Sequence, residues 1–216
     1  MRLLDALDRL NQAHPWSHND AFAGFVLRYA RSTQRRGGRR ALDVGCGTGN
    51  LIERLSHIFP DVIGVEPDLT VAAVAKARFS TSTSVQIEQR YFDHEEPDRY
   101  DFIAFVASLH HMPLAATLHR AKRSLRSGGR IVIVGVARKT PADVTRSLFS
   151  MALNPLVGIV LHPSRATQPM PHMQAPTATA TDSVDDIQRI AQQVLPGIRL
   201  RRRLFWRYTA TWVSPH

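Results

Sequence analysis

A chain of 216 residues with 44% hydrophobic residues is long enough for one well-filled core and has the composition of a globular protein, so we expect a single domain over residues 1–216. Its single cysteine, Cys46, excludes an internal disulfide bond and favours a reducing, cytoplasmic location. The formal net charge of +10 would suit a nucleic-acid partner, but the excess is almost entirely arginine, as in proteins from genomes rich in G and C, so such a partner is the less favoured alternative.

Residues 1–40 contain two predicted helices. Apolar residues recur at helical spacing in residues 1–10, and the charged residues among them interrupt the apolar run that a signal peptide requires. Pro15 ends this segment, and a second helix follows with a shared apolar face: Phe22, Phe25, Val26 and Tyr29. No stretch of the chain has the ~20 apolar residues of a membrane span, so none is predicted.

Residues 41–50 form the most informative stretch, because an apolar strand runs there into a glycine-rich turn and then into an amphipathic helix beginning near Asn50. The glycines alternate with other residues: Gly45, Gly47 and Gly49. Glycine permits a tight turn and the close approach of a ligand to bare backbone. A nicotinamide or flavin site is expected to read G-x-G-x-x-G, and here the third glycine comes one residue early.

Residues 62–66 form a second apolar strand that ends in a carboxylate, Glu66. An acid about twenty residues after the glycine-rich turn can accept hydrogen bonds from ribose hydroxyls. The turn and the acid together predict a nucleoside ligand.

The remaining predicted elements are helices and strands in alternation. In chain order they are a helix capped by Asp68, a strand at 85–89, a strand beginning at Tyr100, a helix from Pro113 closed by Gly128 and Gly129, a strand at 131–136, a helix capped by Asp182 or Ser183, and a strand pair at 199–206 and 208–213. The arginines at 201, 202, 203 and 207 are interpreted as a solvated strand face.

Four ordered motifs resemble those of the class I S-adenosylmethionine-dependent methyltransferases. Residues 43–50 (D-V-G-C-G-T-G-N) resemble the first motif of that family, and Glu66 stands where its ribose-binding acid stands. Residues 100–112 and 125–134 resemble its fourth and fifth strands with their loops. The resemblance implies a doubly wound, mostly parallel seven-stranded α/β sheet with an antiparallel last strand, and transfer of a methyl group from S-adenosylmethionine to a small organic acceptor through oxygen, nitrogen or carbon.

The resemblance also implies a set of cofactor-binding residues: Asp43, Gly45, Cys46, Gly47, Gly49, Asn50, Glu66, Pro67, Phe92, Asp93, Ala107 and His18. Asp43 is expected either near the amino acid portion of the cofactor or as a structural brace of the loop. Asp93 is expected to accept from the adenine amino group with Phe92 covering the ring, although Glu95 or Glu96 could replace Asp93. Cys46 is expected to be a close-packed small residue.

Two segments are candidate lids. In methyltransferases that this chain resembles, an N-terminal helix covers the cofactor, so Trp16, His18 and Asn19 are lid candidates, or else a simple capping turn. Residues 138–182 are long and proline-rich, and we expect either a lid with a substrate pocket or a plain cover. The histidines in this insertion do not resemble a zinc site, so no metal is predicted.

Two histidines follow the fourth strand, where ligands of open α/β sheets bind. His110 and His111 are the candidate catalytic residues, because histidine can orient an acceptor or take its proton near neutral pH. At least one of them is expected to be structural, and His110 is preferred as the residue that faces substrate. Two alternatives stay open: an RNA-directed methyltransferase that uses the basic surface, and a non-methylating S-adenosylmethionine-binding protein.

Overall fold

The computed structural model describes residues 20–138, 140, 180–204 and 207–215. The helices in this part are α1 (Ala23–Gln34), α2 (Asn50–Ser56), α3 (Leu69–Arg78), α4 (Leu114–Ser124) and α5 (Val184–Val194). The strands are β1 (Arg40–Val44), β2 (Asp61–Val65), β3 (Val85–Glu88), β4 (Tyr100–Val106), β5 (Leu125–Val136), β6 (Arg199–Arg202) and β7 (Arg207–Val213). Short 3-10 turns occupy Asp20–Phe22 and Leu109–His111.

The strands of the described residues form one seven-stranded sheet in the order β3-β2-β1-β4-β5-β7-β6. Strands β1 to β5 are mutually parallel, whereas β7 runs antiparallel to both β5 and β6. The predicted mixed sheet with an antiparallel last strand is therefore confirmed. Strand order reverses between β1 and β4, so the crevice in which doubly wound sheets bind ligands lies at the carboxyl ends of these two strands.

The sheet carries a core on each face. On one face α1 and α2 pack against the sheet, with Val26, Ala30 and Leu55 almost fully buried. On the other face α5 contributes Ile187 and Ala191 to a second cluster. Because both faces are covered, successive residues of the central strands are buried rather than alternately buried and exposed.

The structure confirms two helix caps that the sequence predicts, at Asp68 and at Ser183. The Asp68 side chain accepts from the Val71 backbone N–H at 2.9 Å and begins α3. Ser183 and Asp186 form a reciprocal capping box at the start of α5. These side chains satisfy backbone groups only a few residues away, so their pattern is visible in the sequence alone.

The predicted closure of α4 by Gly128 and Gly129 is wrong. The helix ends at Ser124, and β5 begins at once with Leu125 paired to Tyr100. The Gly128 N–H donates to the Ser214 carbonyl, and the Ser214 N–H donates to the Gly129 carbonyl. A Cβ on Gly129 would lie 2.8 Å from both the Leu125 Cγ and the Arg126 carbonyl oxygen, so this glycine serves close packing in the strand.

Segments named as lids fall mostly outside the described residues. Trp16, His18 and Asn19 lie outside them, and so does nearly all of the 138–182 insertion. The second predicted N-terminal helix is α1, which packs into the core. Among the described helices, none combines the length and the apolar character that crossing a membrane requires.

Gly135 offers a stability test of the β5–β7 contact. A Cβ at this position would lie 2.2 Å from Cζ of the buried Tyr208 ring, so Gly135→Ala is expected to destabilise the fold by about 1–3 kcal/mol through overpacking. Gly24 in α1 is the matched control, because nothing lies within 4 Å of its Cβ position. Gly24→Ala should raise stability by up to about 1 kcal/mol, and urea unfolding that ranks the two variants the other way contradicts this packing.

Candidate active site

The candidate site lies where β1, β2 and β4 end. These strands are parallel and in register at their carboxyl ends, with Val44 opposite both Val65 and Phe105. Three segments therefore leave the sheet at one edge: the glycine loop (residues 45–49), Glu66 after β2, and residues 107–111 after β4.

All three loop glycines have positive φ angles, which are +72°, +56° and +87° in chain order. A Cβ on Gly45 would lie 2.5 Å from the Ser108 Cβ, and one on Gly49 would lie 2.4 Å from the Phe79 ring. A Cβ on Gly47 would meet no atom within 4 Å. Gly45 and Gly49 are therefore needed for packing within the protein, whereas Gly47 borders open space where a ligand can approach the main chain.

Glu66 closes one side of this space. One carboxylate oxygen accepts from the Gly47 N–H at 3.0 Å, and the other accepts from the Asp68 N–H at 3.1 Å. Each oxygen keeps acceptor capacity beyond its backbone partner. The acid predicted to bind ribose hydroxyls is thus fixed directly against the open glycine of the loop.

Asp43 is a buried carboxyl group at the end of β1, with a side chain only 2% exposed. Burial, and then the nearby negative charge of Glu66, raise the pKa of Asp43 to about 7. Within the described part of the chain no hydrogen bond reaches its carboxylate, which argues against a purely structural brace. A cation bound beside it would favour its ionised form.

Other contacts hold the loop from outside. Arg78 donates to the Thr48 carbonyl at 3.3 Å and to the Asn50 side-chain oxygen at 2.7 Å, and it also pairs with Glu53. The Asn50 oxygen is therefore already engaged within the protein. On the far side of Glu66, the Gln89 side chain donates to the Pro67 carbonyl at 3.0 Å.

Cys46 is 7% exposed and belongs to the core cluster under the loop. Burial and the nearby carboxylates of Asp43 and Glu66 raise the pKa of its thiol. A protonated, packed thiol is a poor nucleophile, so the predicted packing role of Cys46 is confirmed.

The loop after β3 carries the residues predicted near adenine. Phe92 is 5% exposed, its ring meets Phe105 edge to face at 5.7 Å, and Arg120 lies over it at 5.8 Å. Asp93 is exposed. The alternative acid Glu95 is buried and accepts from the Tyr100 hydroxyl and from Arg90, both at 2.6 Å, so its carboxylate already braces the loop.

Residues 107–111 turn sharply after β4. Ala107 has a φ of +55°, which is rare for a residue with a side chain, and its N–H donates to the Val134 carbonyl at 2.8 Å. Ser108 follows at 6% exposure, and its hydroxyl oxygen is buried without a hydrogen-bond partner among the described residues. Sequence reasoning missed Ser108, and its only signal was its place at a strand end beside the glycine loop.

The two histidines differ in their surroundings. His111 is exposed, whereas His110 is half-buried and its Nδ1 is buried without a hydrogen-bond partner in the described structure. Burial, with smaller contributions from His111 and Arg207, lowers the pKa of His110 to about 4. His110 is therefore neutral at neutral pH and can accept a proton or a hydrogen bond.

The shifted pKa values of Asp43 and His110 make the stability of the fold change with pH in opposite directions. Asp43 has a raised pKa, so its contribution to stability is lost as pH rises from about 4 to about 7, whereas the contribution of His110 is lost as pH falls from about 6.5 to about 4. The neutral variant Asp43→Asn should therefore gain stability relative to wild type between pH 4.5 and pH 7.5. Urea unfolding at the two pH values measures this difference, and a constant difference contradicts the buried, unpaired carboxyl group.

Comparisons with known proteins place the chain in a family. A family model described as a methyltransferase domain matches residues 16–193. A ubiquinone biosynthesis O-methyltransferase of Bradyrhizobium diazoefficiens is 33% identical over 131 residues, which are 59% of this chain and 51% of that protein. The match thus spans about half the length of that relative. An uncharacterized methyltransferase of Mycobacterium tuberculosis is 27% identical over 176 residues, which are 81% of this chain and 86% of that protein.

Solved structures share the fold. A SAM-dependent methyltransferase from Aquifex aeolicus superposes with a TM-score of 0.57 at 14% identity, covering 97% of each chain. An S-adenosylmethionine-dependent methyltransferase from Mesorhizobium loti gives 0.58 at 13% identity, covering 87% of this chain and 96% of that one. Since the family model covers most of the chain, the chain belongs to the methyltransferase domain family.

Proposed function

We propose that S-adenosylmethionine binds at the glycine loop and that its methyl group is transferred to a hydroxyl oxygen of a small organic acceptor held near His110. The observation that carries the proposal is the pairing of an open main-chain surface at Gly47 with the fixed carboxylate of Glu66. When bound, this cofactor supplies a methyl group on a positively charged sulfonium centre, so the protein needs mainly to position the acceptor and remove its proton.

The residues of the site fit such a cofactor. Glu66 has free acceptor capacity for ribose hydroxyls, and Asp43 is a buried carboxyl group that gains a charge partner when a cation binds. The Ser108 hydroxyl lies against Gly45 and has an unused hydrogen-bonding group. Phe92, Asp93, Ala107 and His18 remain predicted cofactor contacts, with His18 outside the described residues.

His110 is the proposed base. Its ring is half-buried, and its lowered pKa keeps the imidazole neutral, so a ring nitrogen can accept a hydrogen bond from an acceptor hydroxyl. His111 is exposed, and its ring lies 4.0 Å from that of His110, centroid to centroid, so it is assigned a supporting role. The relatives named as ubiquinone biosynthesis O-methyltransferases support oxygen as the acceptor atom.

Labelled cofactor tests this assignment. The protein is incubated with cofactor labelled in the methyl group and with separate pools of hydroxylated aromatic compounds, amines, thiols and RNA. Label that appears in a hydroxylated small molecule supports the proposal. Label in RNA favours the RNA-directed alternative, and cofactor binding without transfer to any pool favours a non-methylating binding protein.

A further inference from the structure

A group of arginines lies together on the face of the sheet that α1 covers. We call it the arginine surface: Arg28, Arg36, Arg130, Arg199, Arg201 and Arg203. It is built from α1 and the turn that follows it, from β5 and from the chain around edge strand β6. None of these residues belongs to the candidate active site.

Strand register places the β6 arginines on this face. Arg199 and Arg201 stand opposite Thr211 and Thr209 of β7. Those threonines stand opposite Val132 and Val134 of β5, which pack in the same core cluster as α1. Residues directly opposite one another in antiparallel strands point to the same side of the sheet. Arg202 points to the other side, where it pairs with Asp185 of α5 at 2.7 Å.

Aromatic rings, not carboxylates, hold much of the arginine surface together. The guanidinium groups of Arg28 and Arg130 lie 4.9 and 4.8 Å from the centre of the Tyr29 ring. Those of Arg28 and Arg203 lie 5.7 and 5.8 Å from the centre of the Phe25 ring. A guanidinium group that lies over a ring keeps N–H groups available to a ligand, and in Arg203 the Nε–H among them already donates to the Thr209 hydroxyl at 2.9 Å.

The positive charges of this surface are uncompensated. In the described part of the chain, no carboxylate lies within ion-pair distance of any of its six arginines. Arg130 is only 9% exposed, and its Nε is buried without a hydrogen-bond partner among the described residues. Burial and the neighbouring charge of Arg36 lower the pKa of Arg130. Clustered and partly desolvated cations of this kind are stabilised by a bound anion.

The shape of the arginine surface indicates which anion it fits. Residues two apart on a strand are separated by about 6.6 Å, so Arg199, Arg201 and the adjoining Arg203 form a row about 13 Å long, which is more than one phosphate can contact. Arginine binds phosphate through paired N–H groups. Each ring already has two guanidinium groups close by, which leaves little ring surface for base stacking or for anchoring in a bilayer.

We propose that the arginine surface binds the phosphate backbone of single-stranded nucleic acid without reading its bases. The proposal is independent of methyl transfer, since it requires neither that the strand be methylated nor that it enter the candidate active site. Within strand β6, the proposal assigns phosphate contacts to Arg199 and Arg201. It assigns none to Arg202, which is paired with Asp185 of α5.

Two double variants of the full chain test the proposal. Arg199→Gln/Arg201→Gln removes two exposed charges from the arginine surface, and Arg189→Gln/Arg202→Gln removes two from the opposite face, where both are paired with α5 carboxylates. A short labelled single-stranded RNA of mixed sequence is titrated by fluorescence anisotropy over a range of salt concentrations. Loss of two phosphate contacts should reduce the salt slope of log K by about 1.4 in the first variant, and the control should keep the wild-type slope.

Several outcomes overturn the proposal. These are equal changes in both double variants, no RNA binding by wild type at low salt, a strong preference among homopolymer sequences, and binding to anionic phospholipid vesicles without binding to RNA. Cofactor binding, measured by calorimetry, should be the same in wild type and both variants. A loss of cofactor binding in the first variant alone would also overturn it, because the charges would then belong to the fold or to the active site.

Discussion

Replacing His110 with alanine is expected to lower kcat for methyl transfer by about 10²- to 10⁴-fold, which is the range that a positioned general base contributes. His110 is the half-buried member of the histidine pair, and its Nδ1 has no partner among the described residues. Since its pKa is lowered to about 4, kcat should not titrate with this residue between pH 5 and 8. Steady-state kinetics with an acceptor from the labelled screen measure both effects.

The neighbouring histidine provides the matched control. His111 is exposed and follows His110 directly, so His111→Ala should change kcat by less than about tenfold, as expected outside the proton-transfer step. Affinity for the cofactor should stay near the wild-type value in both variants, because neither ring lies on the glycine loop. Wild-type turnover by both alanine variants, or a larger loss in His111→Ala, would remove His110 as the base.

Glu66→Ala is expected to weaken cofactor binding by at least about 10-fold. The carboxylate accepts the Gly47 N–H and is the proposed acceptor for ribose hydroxyls, and charge-assisted hydrogen bonds contribute about 1.5–3 kcal/mol each. Loss of one such bond, about 1.5–3 kcal/mol, corresponds to a loss of affinity of about 10- to 150-fold, and loss of two bonds to a larger one. Isothermal titration calorimetry with S-adenosylmethionine measures the change directly.

A remote carboxylate controls for charge. Asp185 lies on α5 and pairs with Arg202, so Asp185→Asn removes one negative charge without touching the glycine loop. Its cofactor affinity should equal that of wild type. If the Glu66 and Asp185 variants bind equally well, the proposed role of Glu66 is refuted; the melting temperature of each variant shows whether it has folded.

Elements with local signals were predictable from the sequence. The second half of β5, residues 131–136, appears as a continuous apolar run because helices cover both faces of the sheet. The caps at Asp68 and Ser183 were predictable because each bond closes within three residues. Gly128 and Gly129 were misread as a helix stop, since their partner Ser214 lies at the far end of the chain and only the folded sheet brings it near.

The sequence indicated which residues form the site, but it did not indicate the role of each of them. The glycine spacing indicated the loop, but only the folded chain distinguishes Gly47, which borders open space, from Gly45 and Gly49, which pack against side chains. The sequence leaves Glu95 as a candidate for adenine, whereas in the folded chain its carboxylate accepts from Arg90 and Tyr100. Ser108 has no motif of its own, because its unused hydroxyl results from burial.

The same limit applies to the arginines near the C-terminus. The sequence favoured a solvated strand face for the arginines at 201, 202, 203 and 207, yet the strand register places the first three of them on different sides of the sheet. Arg201 and Arg203 belong to the arginine surface, and Arg202 pairs with Asp185 on the opposite side. Helix α5 and strand β7 determine which of these arginines have a carboxylate partner. Such pairing between distant elements cannot be predicted from a run of like charges in the sequence.

Calorimetric titration of the folded wild-type protein with S-adenosylmethionine most directly tests the claim that open main chain at Gly47, faced by Glu66, receives the cofactor. The account predicts a saturable, one-site binding heat that competes with S-adenosylhomocysteine and is strongly reduced in Glu66→Ala. Protein that shows cooperative thermal unfolding but gives no binding heat with either compound would contradict it.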